Sequence, residues 1–199
     1  MKNIYILSTF IIILINIFFT NCTNSKQEDT QNTLNTTSLD STQILQVIKD
    51  MYAWEETKST LVDFTLAYPE KGSCTGIDKE ANKNRMAELR KTGFFTDDFF
   101  NNYERILKKM DKEIKADTTK YYEGDGLELN YLDGSPWCNC QDNPDKFWET
   151  IKIKDLIINN NDASTKWTWI WKDDFEYKVK LKKINNTWKI SNLEGFDIM

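Results

Sequence analysis

At Glu149 the spacing of apolar side chains changes, and that change limits what a chain of 199 residues like this one can fold into. Before it, apolar residues recur every three or four positions. Ile44, Val47, Ile48, Met51 and Tyr52 follow a Ser41/Thr42 start and predict a helix to about Thr57. A second helix is expected over 78–91, with Met86 and Leu89 apolar and Gly93 as its C-terminal stop. Thr96 is placed to cap a third, with Asp97 and Asp98 in the first turn, where the helix dipole favours negative charge. The face of that helix is Phe99, Phe100, Tyr103, Ile106, Leu107, Met110 and Ile114. After Glu149 the period is two, the period of a strand with one buried face. Ile151 and Ile153 open a strand that continues to Ile158; Trp167, Trp169 and Trp171 alternate in the next; Phe175, Tyr177, Val179 and Leu181 alternate in the third; Trp188 and Ile190 mark the fourth. Helices first and an antiparallel meander after them make an α+β domain.

Two turns set the register of that meander. Asn185-Asn186 suits a two-residue hairpin with positive φ and pairs Leu181 with Ile190. A three-residue turn Lys172-Asp173-Asp174 sets Trp171 opposite Phe175, Trp169 opposite Tyr177 and Trp167 opposite Val179, giving one apolar face. A two-residue turn Asp173-Asp174 slips the register by one and sets the indoles among Glu176, Lys178 and Lys180. The first arrangement satisfies both strands together. Lys178, Lys180, Lys182 and Lys183 then read as a solvated strand face, with a phosphate-binding stripe as the alternative.

The N-terminus has a different character. Lys2 precedes an apolar run over 4–19, shorter than the roughly 20 residues that a bilayer span needs and without basic residues to stop transfer. Residues 1–21 therefore read as a signal peptide. Phe19-Thr20-Asn21-Cys22 resembles the bacterial lipoprotein signal, in which the cysteine is acylated and becomes the new N-terminus. Phe19 and Asn21 depart from the common pattern and are similar to the relaxed signals of Bacteroidota lipoproteins. The alternative is a cleaved secretory peptide that leaves Cys22 free. Residues 22–41 are rich in Asn, Thr, Ser and Gln and read as a flexible tether, leaving 42–199 as the folded domain. Lys26-Gln27-Glu28-Asp29 is similar to the charged tag that directs some of these lipoproteins to the cell surface; an ordinary linker is the other reading.

Composition removes several function classes. The chain contains no His, which excludes Ser-His-Asp, Cys-His and His-based zinc chemistries. A net charge of -5 argues against nucleic acid, whose phosphates call for clustered Lys and Arg. With Cys22 lipidated, Cys74, Cys138 and Cys140 remain, too few for a four-ligand metal site. In an oxidising compartment they suggest a disulfide. Three single pairings are open, including the tight ring Cys138-Asn139-Cys140. In a strand, Cys138 and Cys140 point to one face, which suits a bridge from one of them to Cys74; such a long loop would contribute about 2 to 4 kcal/mol. Acids cluster at Glu123, Asp125 and Glu128 and again at Asp142 and Asp145, among Gly and Pro residues that mark loops. Asp125 and Asp142 are the candidates for a carboxylate base, and no residue set marks catalysis.

The segments "FFTDDFFNNYERI", "PWCNCQD" and "TWKISNLEGF" are similar to an uncharacterised family of bacterial secreted proteins and lipoproteins with a nuclear transport factor 2-like (cystatin-like) domain. The resemblance spans about 42–196 and implies N-terminal helices on a curved sheet, cone-like, with a concave face for a ligand or partner. It implies no particular activity, since such folds host enzymes, binding modules and scaffolds. The expectation is an envelope lipoprotein held to the outer membrane by its lipid, periplasmic or surface-exposed, that binds a small molecule, glycan or protein without catalysis or cofactor. A possible pocket comprises Trp167, Trp169, Trp171, Tyr177, Asp125 and Asp142. A glycan binder requires at least two of the three stripe indoles to be accessible; an enzyme requires a carboxylate buried in an apolar cavity; a structural or inhibitory partner requires a flat apolar patch.

Overall fold

The computed structural model describes residues 25–69, 72–122, 134–169 and 175–197. They fall in two compact units, Met1–Asp40 and Ser41–Met199. Helix α1 (Ser25–Lys58) starts well before the expected Ser41/Thr42, so the described part of the segment read as a tether is helical. Extending an existing helix adds a hydrogen bond per residue without a new nucleus, and no Gly or Pro interrupts 25–41.

The second unit has the α+β architecture that the change of period predicts. Ile44, Ile48, Met51 and Tyr52 of α1 are buried. Helix α2 (Lys79–Thr92) is capped by Asp78, whose Oδ1 accepts from the backbone N–H groups of Glu80 and Ala81, and it ends at Gly93 in the left-handed region, φ 73°. Helix α3 (Asp97–Ala116) buries all seven residues of its expected face. Thr96 stands at its N-cap position without making the side-chain cap bond.

Strands β1 (Lys152–Asn159), β2 (Asp162–Thr168), β3 (Tyr177–Ile184) and β4 (Thr187–Leu193) form one antiparallel sheet in sequential order. Asn185 and Asn186 have φ 50° and 62°, and Leu181 lies opposite Ile190, as the hairpin chemistry predicts. The short link before α3 ties helices to sheet: Ile190 N donates to Phe94 O at 2.8 Å and Thr96 N to Ile190 O at 3.0 Å. Lys178, Lys180 and Lys182 are exposed on the outer face of β3. Lys178 pairs with Glu194 and Lys182 with Asp98, so the stripe is a solvated strand face.

The register between β2 and β3 corrects both expected turns. Trp167 lies opposite Tyr177 and Thr165 opposite Val179, two positions from the three-residue arrangement. A slip of two keeps every side chain on its face, so Trp167 and Trp169 still share a side with Tyr177 and Val179. The cause is a longer connection, in which Trp169 stacks on Phe175 with ring centroids 4.4 Å apart and planes within 8°. Trp171 and the residues of that turn lie outside the described residues.

Candidate functional site

Helix α2 is mostly polar, yet it buries a stripe of Asn82, Arg85 and Leu89. Arg85 has no exposed side-chain surface. A buried guanidinium is tolerated only if its five N–H donors are met, and the surrounding chain meets them. Nε donates to Asp63 Oδ1 at 2.8 Å and Nη2 to Asp63 Oδ2 at 3.0 Å. Nη2 also reaches both oxygens of Glu55 at 2.9 Å, while Nη1 donates to Glu88 Oε2 at 2.8 Å and Ser59 Oγ at 2.6 Å. Trp54 and Trp137 each place a ring 5.6 Å from the guanidinium carbon.

These contacts come from four parts of the chain. Glu55 lies near the end of α1; Ser59 and Asp63 belong to the loop that follows it; Glu88 lies one turn beyond Arg85 on α2; and Trp137 comes from the segment before β1. Glu88 holds the loop a second time, its Oε1 accepting from Thr60 N at 3.0 Å and Thr60 Oγ1 at 2.9 Å. Asp63 also accepts from Tyr103 Oη and from Trp137 Nε1, both at 2.8 Å. Phe64, next in sequence, sits in the left-handed region at φ 54° and stacks on Tyr103 at 4.8 Å. Such a conformation costs a bulky residue about 1 to 3 kcal/mol and persists here because both neighbours are fixed, Asp63 on Arg85 and Phe64 in the core.

Two clefts lie beside the centre, and Arg85 lines neither. A cleft of about 250 Å³ is lined by Tyr52, Glu55, Glu56, Trp137, Cys138 and Phe147 among others, and a second, of about 360 Å³, by Glu55, Asp63, Phe64, Ser135, Pro136 and Trp137. Glu55, Ser135 and Trp137 belong to both. Their linings contain the carboxylates of Glu55, Glu56 and Asp63 and no Lys or Arg. Burial pushes the Glu55 carboxyl up to about 7 against the pull of Arg85, with Asp63 and Glu88 adding repulsion. Glu88, though desolvation opposes it, is held below the usual carboxylate range by its bonds from Arg85 and Thr60. Behind the cleft, Trp167 Nε1 donates to Tyr52 Oη at 3.1 Å and Tyr52 Oη donates to Trp137 O at 2.6 Å, which fixes the wall to the core.

In the cleft wall, one of the three open cysteine pairings is made, the tight ring. Cys138 is joined to Cys140, with Cα atoms 5.1 Å apart, and Cys74 is a free, half-buried thiol. The segment is a turn: Ser135 N donates to Cys140 O at 2.9 Å, Asn139 N to Ser135 O at 2.8 Å, and Asn139 has φ 51°. In a strand, residues two apart are separated by about 6.5 Å, near the upper end of what a disulfide spans. The turn shortens that distance and makes the tight ring accessible.

Among the described residues, three members of the expected pocket, Trp167, Trp169 and Tyr177, come together as core rather than as a pocket wall. Trp167 and Trp169 are buried, packed among Tyr52, Phe147, Phe175 and Tyr177. With both indoles closed off, at most one of the three stripe residues is accessible, and the requirement for a glycan face is not met. Tyr177 is also buried, its hydroxyl donating to Pro136 O and accepting from Gly195 N. Asp142 is exposed and lines neither cleft. Cys22, Asp125, Glu123, Glu128 and Trp171 lie outside the described residues.

Glu55 and Arg85 were not among the sequence candidates. The available signal was Arg85 itself, four positions before Leu89 on the same face of α2. Comparison with protein-family models, curated proteins and solved structures finds no match to this chain.

Proposed function

We propose that this is a lipid-anchored protein of a bacterial cell envelope, whose folded unit binds a ligand or partner in the cleft over Glu55 without transforming it. The signal-like segment ending at Cys22 supports the anchor. Three helices followed by an antiparallel meander are in keeping with the nuclear transport factor 2-like resemblance. The observation that carries the binding reading is the cleft lining: aromatic walls from Tyr52, Trp137 and Phe147 with acids and no basic side chain. That chemistry favours a small cationic or donor-rich ligand, held by ring faces and carboxylate oxygens. Both oxygens of Glu55 accept from Arg85, so Glu55 contributes to the acidic lining as part of a fixed pair.

A second reading, an enzyme with Glu55 as general base, is favoured by the rise of that carboxyl to about 7. Titration with tetramethylammonium and putrescine, followed by Trp emission and by NMR of the probe, separates the two. Saturable binding with the probe unchanged, lost in Glu55→Gln, is the expected result; no saturable change with either amine counts against the cleft as a cation site. For the anchor, a Cys22→Ala chain should leave the membrane fraction and lose incorporated fatty acid. Retention of both sinks the lipoprotein assignment.

A further inference from the structure

A second concave surface, away from Arg85, has the opposite electrostatic character. Residues 79, 82, 83, 86, 87 and 90 lie along one face of α2, and Glu104, Leu107 and Lys108 face them from α3 across a groove of about 470 Å³. Its apolar surface comes from Ile77, Met86, Ala87 and Leu107. Its charged side chains are Lys79, Lys83, Arg90 and Lys108 against the single acid Glu104. In a chain of net charge -5, this is a local reversal of sign.

We propose that this groove binds a free, single-chain anionic amphiphile, a medium- to long-chain fatty carboxylate. The alkyl chain lies on Met86, Ala87 and Leu107, and the carboxylate meets the lysines of α2. Three arguments select that occupant. The ion pairs of the groove cations are exposed, and two are loose, Lys83 to Glu80 at 3.7 Å and Lys108 to Glu104 at 3.9 Å against Arg90 to Asp97 at 3.3 Å, so both lysines are easily redirected to an incoming anion. The volume lies in the range of small-molecule sites, whereas a helix laid over the same length fills on the order of 1,200 Å³. Finally, Lys79 and Arg90 are separated by eleven residues of helix, roughly 16 Å, close to the extended length of a medium-chain fatty acid.

The test uses the full chain, with dodecanoate, dodecyltrimethylammonium and phosphatidylglycerol vesicles as probes. Saturable 1:1 binding of dodecanoate is expected, weakened at least tenfold in Lys79→Glu/Lys83→Glu and again in Ala87→Trp, which fills the groove from an exposed position on α2. A diazirine-bearing dodecanoate should label peptides within 77–108. Equal affinity for the cationic amphiphile, binding unaffected by either variant, or labelling confined to other peptides overturns the proposal. So does vesicle binding that the charge reversal abolishes while free dodecanoate fails to bind, since the occupant is then a membrane surface.

Discussion

Asp63 grips Arg85 with both carboxylate oxygens, Oδ1 on Nε and Oδ2 on Nη2, and the same two oxygens receive Tyr103 and Trp137. One side chain thus joins a loop, two helices and the segment before the sheet. The charge at its centre has no exposure to water, and the energetics follow from that.

Asp63→Ala leaves the buried guanidinium short of two acceptors and frees a buried indole N–H and a phenol. Breaking a buried ion pair from one side costs about 3 to 5 kcal/mol. Urea unfolding should show a loss of that order, with a smaller one for Asp63→Asn, which keeps one acceptor oxygen. A loss below about 1 kcal/mol for Asp63→Ala contradicts the role of Arg85 as a closed centre.

Glu55 gives the fold a pH dependence. Its folded-state value of about 7 lies above the ordinary 4.5, so the folded protein holds a proton that the unfolded chain releases. The stabilisation is complete below about 4.5 and disappears as pH rises through about 7. Stability should therefore fall by on the order of 3 kcal/mol across that window. Glu55→Gln should flatten the profile; an unchanged slope in this variant assigns the proton elsewhere.

The Cys138–Cys140 ring closes too short a loop to restrict the unfolded chain strongly. Chain-entropy reasoning gives about 1.6 kcal/mol for so small a ring, below the 2 to 4 of a long one. Replacing both residues by Ser should lower stability by about that amount and leave the far-UV spectrum intact. Alkylation without reductant should spare the peptide carrying Cys138 and Cys140 and, after unfolding, label Cys74.

Tyr52→Phe removes a single oxygen and strands two groups, Trp167 Nε1 and Trp137 O. Leaving buried polar atoms unpaired costs about 1 to 3 kcal/mol. Because Trp137 also borders both clefts, near-UV circular dichroism should change in this variant along with stability. A neutral substitution would mean that water replaces the hydroxyl.

The elements and their order were legible because each carries its own pattern. The α3 face buries as its spacing predicts, and Asn185-Asn186 sets its hairpin without help from the rest of the chain. What was missed depends on contacts distant in sequence. Arg85 sits on a helix whose sequence is dominated by solvated charge, and only the approach of Glu55, 30 residues earlier, and Asp63, 22 earlier, turns its position into an interior one. The Trp stripe erred differently: its face was readable from alternation, but burial on that face depends on Tyr52 and Phe147 covering it. Which of the three cysteine pairings forms was not legible, because it depends on the turn around Asn139, φ 51°, and alternation describes only extended chain.

The short turn Glu194–Phe196 places Phe196, fully buried, against Phe99 and Trp137 with ring centroids 5.1 Å away from each, while Asn102 Nδ2 holds its carbonyl at 2.6 Å. An aromatic core that joins Phe99 to Phe196, with the whole sheet between them in sequence, closes only after all four strands have been made. A nascent or stalled chain lacking them exposes Phe64, Phe99 and Tyr103 together, the kind of surface that chaperones and proteases recognise. The helical half therefore holds its apolar face only once the sheet and the turn after it are in place, which makes Phe196 a latch between the two halves of the fold.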